Sequence, residues 1–167
     1  MEAESIKRCE ICDNQLDDGY KQWPKCPSCH ANIKEMRALI DDIQERQSKK
    51  GVTREITPEQ KKLYLALKAR NWDPELEHED EYKTVDIAIL AAKLYIEVNG
   101  SQHANNPNQL KSDLWRSYYS FRDGFLTLPV FNIALNDAEF HQIVNIINDI
   151  AKERKQAIKN QQQDNCS

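Results

Sequence analysis

Two acids, Asp86 and Glu97, stand in a stretch that reads as a hairpin, and their spacing is the first sign of chemistry in the chain. Over residues 85–100, apolar and β-branched residues alternate with others, the period of two of a half-buried strand pair. One face carries Val85, Ile87, Ile89, Leu94, Ile96 and Val98. The other carries Asp86, Ala88, Leu90, Tyr95, Glu97 and Asn99. A turn centred on Ala91-Ala92 pairs Leu90 with Lys93 and, counting outward, sets Asp86 directly against Glu97. Directly opposed residues have Cβ atoms roughly 5 Å apart, where like charges destabilise a sheet. A divalent cation shared by the two carboxylates removes that repulsion, and hard oxygen ligands suit Mg²⁺ or Mn²⁺.

A second constellation lies near the N-terminus. Cys9-Glu10-Ile11-Cys12 and Cys26-Pro27-Ser28-Cys29 are two Cys-x-x-Cys pairs thirteen residues apart. Each suits a tight knuckle that offers two thiolates to one ion, and together they complete a tetrahedral Cys₄ zinc site. Gly19 and Trp23-Pro24 read as the hairpin between the knuckles. A redox dithiol needs only one pair in a thioredoxin-like setting, which is absent. A closed Cys₄ site has no open position for water, so this zinc is structural. Cys166, in a polar tail, reads as a free thiol.

These residues must be held by elements. The 167 residues suffice for one domain with a sizeable core plus a small appendage. Charged residues make up 30% and the formal net charge is -4, which excludes a generally basic protein but not a local basic face. No apolar run approaches the roughly 20 residues of a membrane span, and the first residues do not form a signal peptide. The expectation is a soluble, cytoplasmic protein in a reducing compartment, without a membrane partner.

Four units are expected: a zinc ribbon over 1–32, a linker helix and linker over 33–51, a catalytic-type domain over 52–158 and a disordered tail over 159–167. Ile33, Met36, Ile40 and Ile43 recur at helical spacing, ending near Gln47. Thr57-Pro58-Glu59-Gln60 marks a helix start with a capping box, followed by Leu63, Ala66, Leu67 and Arg70. Glu59 shares the inward face at that helix end. Leu76 and His78 alternate with acids in a short edge strand. After the hairpin, Asn106 caps a helix whose buried stripe is expected to be Leu110, Leu114, Ser117/Tyr118 and Phe121, with Gly124 ending it. A strand follows over 125–131, at an edge because of Pro129. A final helix turns Phe140, Ile143, Ile147, Ile150 and Ala151 inward. A strand reached through a helix crossover pairs parallel. The fold class is therefore α/β (α+β): a mixed β-sheet flanked by helices, preceded by the small zinc module.

The ordered set Thr57-Pro58-Glu59, helix, Val85-Asp86, Ile96-Glu97-Val98-Asn99-Gly100 and His103, then helix and strand, resembles the PD-(D/E)XK nuclease superfamily with its restriction-endonuclease-like fold. Within it, the match from about Thr57 to about Asn148 is most similar to relatives of the very-short-patch-repair (Vsr) endonuclease. Residues 6–32 similarly look like a zinc ribbon or rubredoxin-like knuckle, a module that binds nucleic acid, recruits a protein partner or is structural.

The resemblance implies metal-dependent hydrolysis of DNA phosphodiesters. Asp86 and Glu97 would hold Mg²⁺, Glu59 would complete the site through a water, and His103 would act as acid/base or steady the leaving oxygen. One position departs from the pattern. Where the superfamily has Lys and the closer relatives Asp, this chain has Asn99, whose amide can ligate or orient but carries no charge. Lys111 or Lys93 is expected to supply the charge instead. The rival reading is a non-catalytic nucleic-acid-binding or protein-interaction module on the same fold. Oligomeric state is not legible at this level.

Overall fold

The structure, a computed structural model, describes residues 7–16, 25–99, 107–135 and 138–164, without the side chains at 107–110, 112, 113 and 133. Its elements follow the order helix, helix, three strands, helix, strand, two helices. They are α1 (Pro27–Lys49), α2 (Pro58–Lys68), β1 (Glu75–Glu79), β2 (Thr84–Ile89), β3 (Leu94–Asn99), α3 (Pro107–Arg122), β4 (Leu126–Phe131), α4 (Asn132–Leu135) and α5 (Phe140–Asp164). The sheet order is β1-β2-β3-β4. The first three strands form an antiparallel meander, and β4 joins β3 in parallel after the α3 crossover. The architecture is the expected mixed sheet flanked by helices.

The β2–β3 register is Ile87↔Ile96, Ala88↔Tyr95 and Ile89↔Leu94. That is the expected register, and the ladder ends at Ile87↔Ile96, one residue short of Asp86 and Glu97. The turn differs in detail: Leu90–Ala92 form a 3₁₀ turn, and Lys93 closes it in the left-handed conformation with φ 46°. The side chain of Arg154 on α5 holds this turn. Its Nε donates to the Ala92 carbonyl at 3.0 Å and its Nη2 to the carbonyls of Lys93 and Gly124 at 3.1 and 2.7 Å.

One apolar core lies against the sheet face that carries Ile87, Ile89, Leu94 and Ile96. Leu63 and Leu67 of α2 and Val144, Ile147 and Ala151 of α5 cover that face, and Met36, Ile40 and Ile43 of α1 extend the core. The capping box of α2 is present in full: Gln60 N–H donates to Thr57 Oγ1 at 3.2 Å, and Thr57 N–H donates to Gln60 Oε1 at 2.6 Å.

Several sequence expectations need correction. Val85 does not join Ile87 and Ile89; it packs with Ala88 and Tyr95 on the opposite face, next to Phe125. The strand alternation therefore breaks at Asp86. Its neighbour across the β1–β2 register (Leu76↔Ile87, His78↔Val85) is Glu77, which has φ 48°. A left-handed residue inside a strand reverses the alternation of side chains, and the pleat changes phase here.

The α3 stripe is not buried: Leu114, Tyr118 and Phe121 are 63%, 53% and 75% exposed. Periodicity identified an apolar face correctly, but nothing described in the chain covers it. Among the residues of the expected disordered tail, Lys159 to Asp164 continue α5 as helix, because an exposed last turn needs no apolar periodicity to propagate. The second Cys pair is also not a free knuckle. Cys26 is the N-cap of α1, Pro27 opens the helix and Cys29 lies in its first turn. The expected hairpin at Gly19 and Trp23-Pro24, the Asn106 cap, Cys166 and the side chain of Leu110 lie outside the described residues. No helix of the described residues is long and apolar enough to cross a membrane.

Candidate active site and metal centre

The open end of the β2–β3 pair forms a cleft of about 360 Å³ that contains both Asp86 and Glu97. Asn99 lines it from the end of β3, Lys83 from the entry to β2, Arg54 from the segment before α2 and Arg116 from α3. Asp86 is 7% exposed. Its Oδ2 accepts the backbone N–H of Val98 at 2.7 Å, so the side chain takes up a strand donor next to the last β2–β3 ladder pair. Its Oδ1 lies 4.0 Å from Arg54 Nη2. Burial pushes the Asp86 carboxyl above the usual carboxylate range, and the Glu97 charge adds to that. The Val98 N–H and the Arg54 guanidinium oppose it.

Glu97 is paired to Lys83, whose Nζ donates to Oε1 at 2.8 Å with its own side chain only 6% exposed. Lys83 is placed by the β1–β2 turn. Asp80 Oδ1 accepts the N–H groups of Tyr82 and Lys83 at 2.7 and 2.6 Å, and Asp80 N–H donates to the Lys83 carbonyl at 2.9 Å. An Asx turn of this kind fixes the residue that leaves it. Lys83 then enters β2 with its ammonium over the Tyr95 ring, 5.8 Å from the centroid.

A third acid stands behind these two. Glu77 is buried, accepts from Gln60 Nε2 at 3.4 Å through Oε1, and lies 3.5 Å from Arg54 Nη1 through Oε2. Burial raises its pKa and Arg54 lowers it. Arg54 thus spans two buried acids and also donates to the Thr84 carbonyl at 3.4 Å. Like charges are gathered in this cleft together with three cations, so its lining offers donors for an anion and acceptors for a cation.

The remaining sequence candidates distribute as follows. Glu59 lies half-buried in the first turn of α2 and does not line the cleft. Its neighbour Gln60 reaches the acids instead. Lys111 is exposed on α3 beside Leu114, Trp115 and Tyr118, away from Asp86. Lys93 sits at the hairpin turn, its ammonium 5.9 Å from the Phe125 centroid. Neither brings charge to the cleft. Lys83, Arg54 and Arg116 do, and sequence reasoning singled out none of them. His103 lies outside the described residues.

The second centre is the cysteine cluster. The thiol sulfurs of Cys9, Cys12, Cys26 and Cys29 all lie within 4.8 Å of one another, a donor set suited to Zn²⁺. Cys26 N–H points at Cys9 Sγ, 3.4 Å away, as a backbone donor to a thiolate does. Among the described residues this is the one cluster of three or more His, Cys, Asp or Glu groups close enough to hold an ion. The oxygen pair Asp86 and Glu97, with the Asn99 amide beside it, has the hard donors that Mg²⁺ or Mn²⁺ takes.

No protein-family model matches the chain. No curated protein matches it either. Among solved structures it is similar to the one titled "Homing Endonuclease I-Bth0305I Catalytic Domain", at 20% identity and a TM-score of 0.49, over 59% of this chain and 97% of that one.

Proposed function

We propose that this protein is a metal-dependent endonuclease that hydrolyses phosphodiester bonds of DNA, with its active site in the Asp86–Glu97 cleft. The observation that carries the reading is the meeting of the two strand carboxylates Asp86 and Glu97 with Lys83, Arg54 and Arg116 in one cleft. Asp86 and Glu97 would hold Mg²⁺ or Mn²⁺, which when bound polarises a phosphate and acidifies a water. The chain's own residues do the rest. Arg54 and Arg116 take phosphate oxygens at the cleft edge, where Arg offers a planar fork of donors. Lys83 supplies the positive charge that Asn99 lacks, and it offsets charge developing on the phosphate. The Asn99 amide orients a water. The PD-(D/E)XK and Vsr-like resemblance, and the roles it implies for Glu59 and His103, belong to this same reading. In it the Cys₄ centre binds Zn²⁺ and orders the N-terminal module beside the domain.

A second reading has one specific observation in its favour. Asp86 and Glu97 are already satisfied, by Val98 N–H and by Lys83, as they would be in a nuclease fold that binds nucleic acid without cutting it.

Incubation of purified protein with supercoiled plasmid and Mg²⁺ or Mn²⁺ separates the two. Nicking or linearisation is expected, with a loss on the order of 1,000-fold in Asp86→Ala and Glu97→Ala. Absence of cleavage by the wild type, or equal cleavage by both variants, leaves the binding-module reading. An RNA of matched sequence in parallel tests the assignment to DNA.

A further inference from the structure

The helix α3 presents an apolar face that no described part of the chain covers. Leu114, Tyr118 and Phe121, at spacings of four and three, are 63%, 53% and 75% exposed, and Trp115 beside them is 60% exposed. Lys111 lies one turn before Leu114 and shares a surface depression with Leu114, Trp115 and Tyr118. Four large side chains on one helix form a contiguous apolar patch, unlike the single exposed apolar residues found on any soluble surface.

We infer that this face is the seat of a second copy of the same chain, joined through an antiparallel α3–α3 pair on a two-fold axis. The stripe Lys111, Leu114, Tyr118, Phe121 advances by three, four and three residues, so it reads the same in both directions about Arg116. Laid antiparallel on its own copy, Leu114 meets Tyr118 of the second copy, and Phe121 meets the aliphatic stem of Lys111. Leu114 and Tyr118 thus find each other, and Phe121 finds a methylene stem, with no sequence but this one. An isologous interface requires that self-complementarity.

The charges select the same orientation. A parallel pair would bring Lys111 against Lys111. The antiparallel pair carries each Lys111 to the C-terminal end of the other helix, where the macrodipole is negative. Arg122 at that same end is held by the chain itself, with Nε donating to Asp123 Oδ1 at 3.1 Å, Nη2 donating to Tyr82 Oη at 2.6 Å and its guanidinium 5.3 Å from the Tyr119 centroid.

Nucleic acid is the less suitable occupant. Its interfaces are polar and strongly basic, whereas this stripe offers one ammonium among Leu, Trp, Tyr and Phe. The face of α3 that carries Arg116 and Ser117 is the one that lines the cleft, so the pairing leaves both clefts open.

The test is mass in solution, by sedimentation or light scattering of the full chain at tens of micromolar, without nucleic acid. Its readout does not depend on whether the cleft cleaves anything. Twice the mass of the 19.5 kDa chain is expected for the wild type, and the monomer mass for Leu114→Lys and for Tyr118→Glu separately. These positions are exposed in the single chain, so the monomeric variants are expected to keep the circular dichroism spectrum of the wild type. Mixing the two variants is expected to restore the doubled mass, because Lys at 114 of one copy then meets Glu at 118 of the other. A monomeric wild type overturns the inference, including one that gains mass only when a DNA duplex is added, which would make nucleic acid the occupant. A wild-type dimer whose two variants fail to restore mass on mixing overturns the antiparallel pairing.

Discussion

Asp86 combines two demands that conflict. It is buried beside other acids, and the cation proposed for the cleft requires it ionised. Its raised pKa means that the folded chain holds the proton more tightly than the unfolded one. Below the ordinary aspartate range both states are protonated and the residue has no electrostatic cost. As pH rises from there through the raised folded value, the unfolded chain gives up its proton first, and stability falls. Asp86→Asn removes the ionisable group and keeps an oxygen to accept the Val98 N–H. The variant is expected to be more stable than the wild type at neutral pH, by about 1 kcal/mol, while losing cleavage. The gain should shrink as pH is lowered through the aspartate range, which denaturant unfolding at several pH values measures in metal-free buffer. An unchanged gap at low pH would mean that the gain comes from packing. Lys83 makes the complementary prediction. Lys83→Met, which keeps the stem over Tyr95 and deletes the charge, is expected to lower the cleavage rate on the order of 100-fold, while Lys111→Met and Lys93→Met leave it unchanged. Plasmid nicking rates decide between them.

Among the elements, the hairpin was the most legible in the sequence and the one that matters most. Alternation over Val85 to Asn99 specified two strands, and the buried face left a single register, because a one-residue slip would move every apolar side chain to the wrong side. What could not be read was the phase change at Glu77, since a left-handed residue inside a strand leaves no periodic signal. Lys83 carries no sequence signal either: its position depends on the Asp80 turn, whereas the family pattern has its charge two residues after the second acid. The α3 stripe failed differently. Periodicity locates an apolar face but is silent on whether the cover is intramolecular.

The turn at the closed end of the hairpin depends on one residue that no motif marks. Arg154 satisfies three carbonyls, at Ala92, Lys93 and Gly124, that a loop would otherwise leave to water or to nothing. Arg154→Ala is expected to cost about 2 kcal/mol, read as a lowered denaturant midpoint at unchanged slope. Arg154→Lys should recover only part of it, since an ammonium lacks the fork that reaches all three oxygens. A variant as stable as the wild type would show that water replaces the guanidinium there without loss.

At the scale of the molecule, the question is whether the cysteine centre is an appendage or part of the domain. The sequence suggested a separate ribbon over 1–32 and a boundary near Ser48-Lys49-Lys50-Gly51. The structure gives physical reasons for coupling: Cys9, Ile11, Leu16 and Cys29 belong to the same buried cluster as Met36, Ile40 and Ile43 of α1 and Leu63 and Leu67 of α2. Because Cys29 lies in the first turn of α1, an ion held by the four thiolates would anchor the N-terminus of a 23-residue helix. Its binding energy is then available to the folding of everything packed on that helix. Purified protein is expected to carry one Zn²⁺ per chain, measured by colorimetric release. Chelation, or Cys9→Ser with Cys12→Ser, should lower stability by at least about 3 kcal/mol. The shape of the unfolding curve carries the further information. If α1 transmits the loss, a single transition moves as a whole and the Asp86–Glu97 domain melts with the zinc module. If the boundary near Gly51 divides two independent units, chelation abolishes a small early transition and leaves the main one in place. Calorimetry of the protein with and without zinc distinguishes these outcomes, and a single shifted transition would make the cysteine centre part of the scaffold that positions the Asp86–Glu97 hairpin.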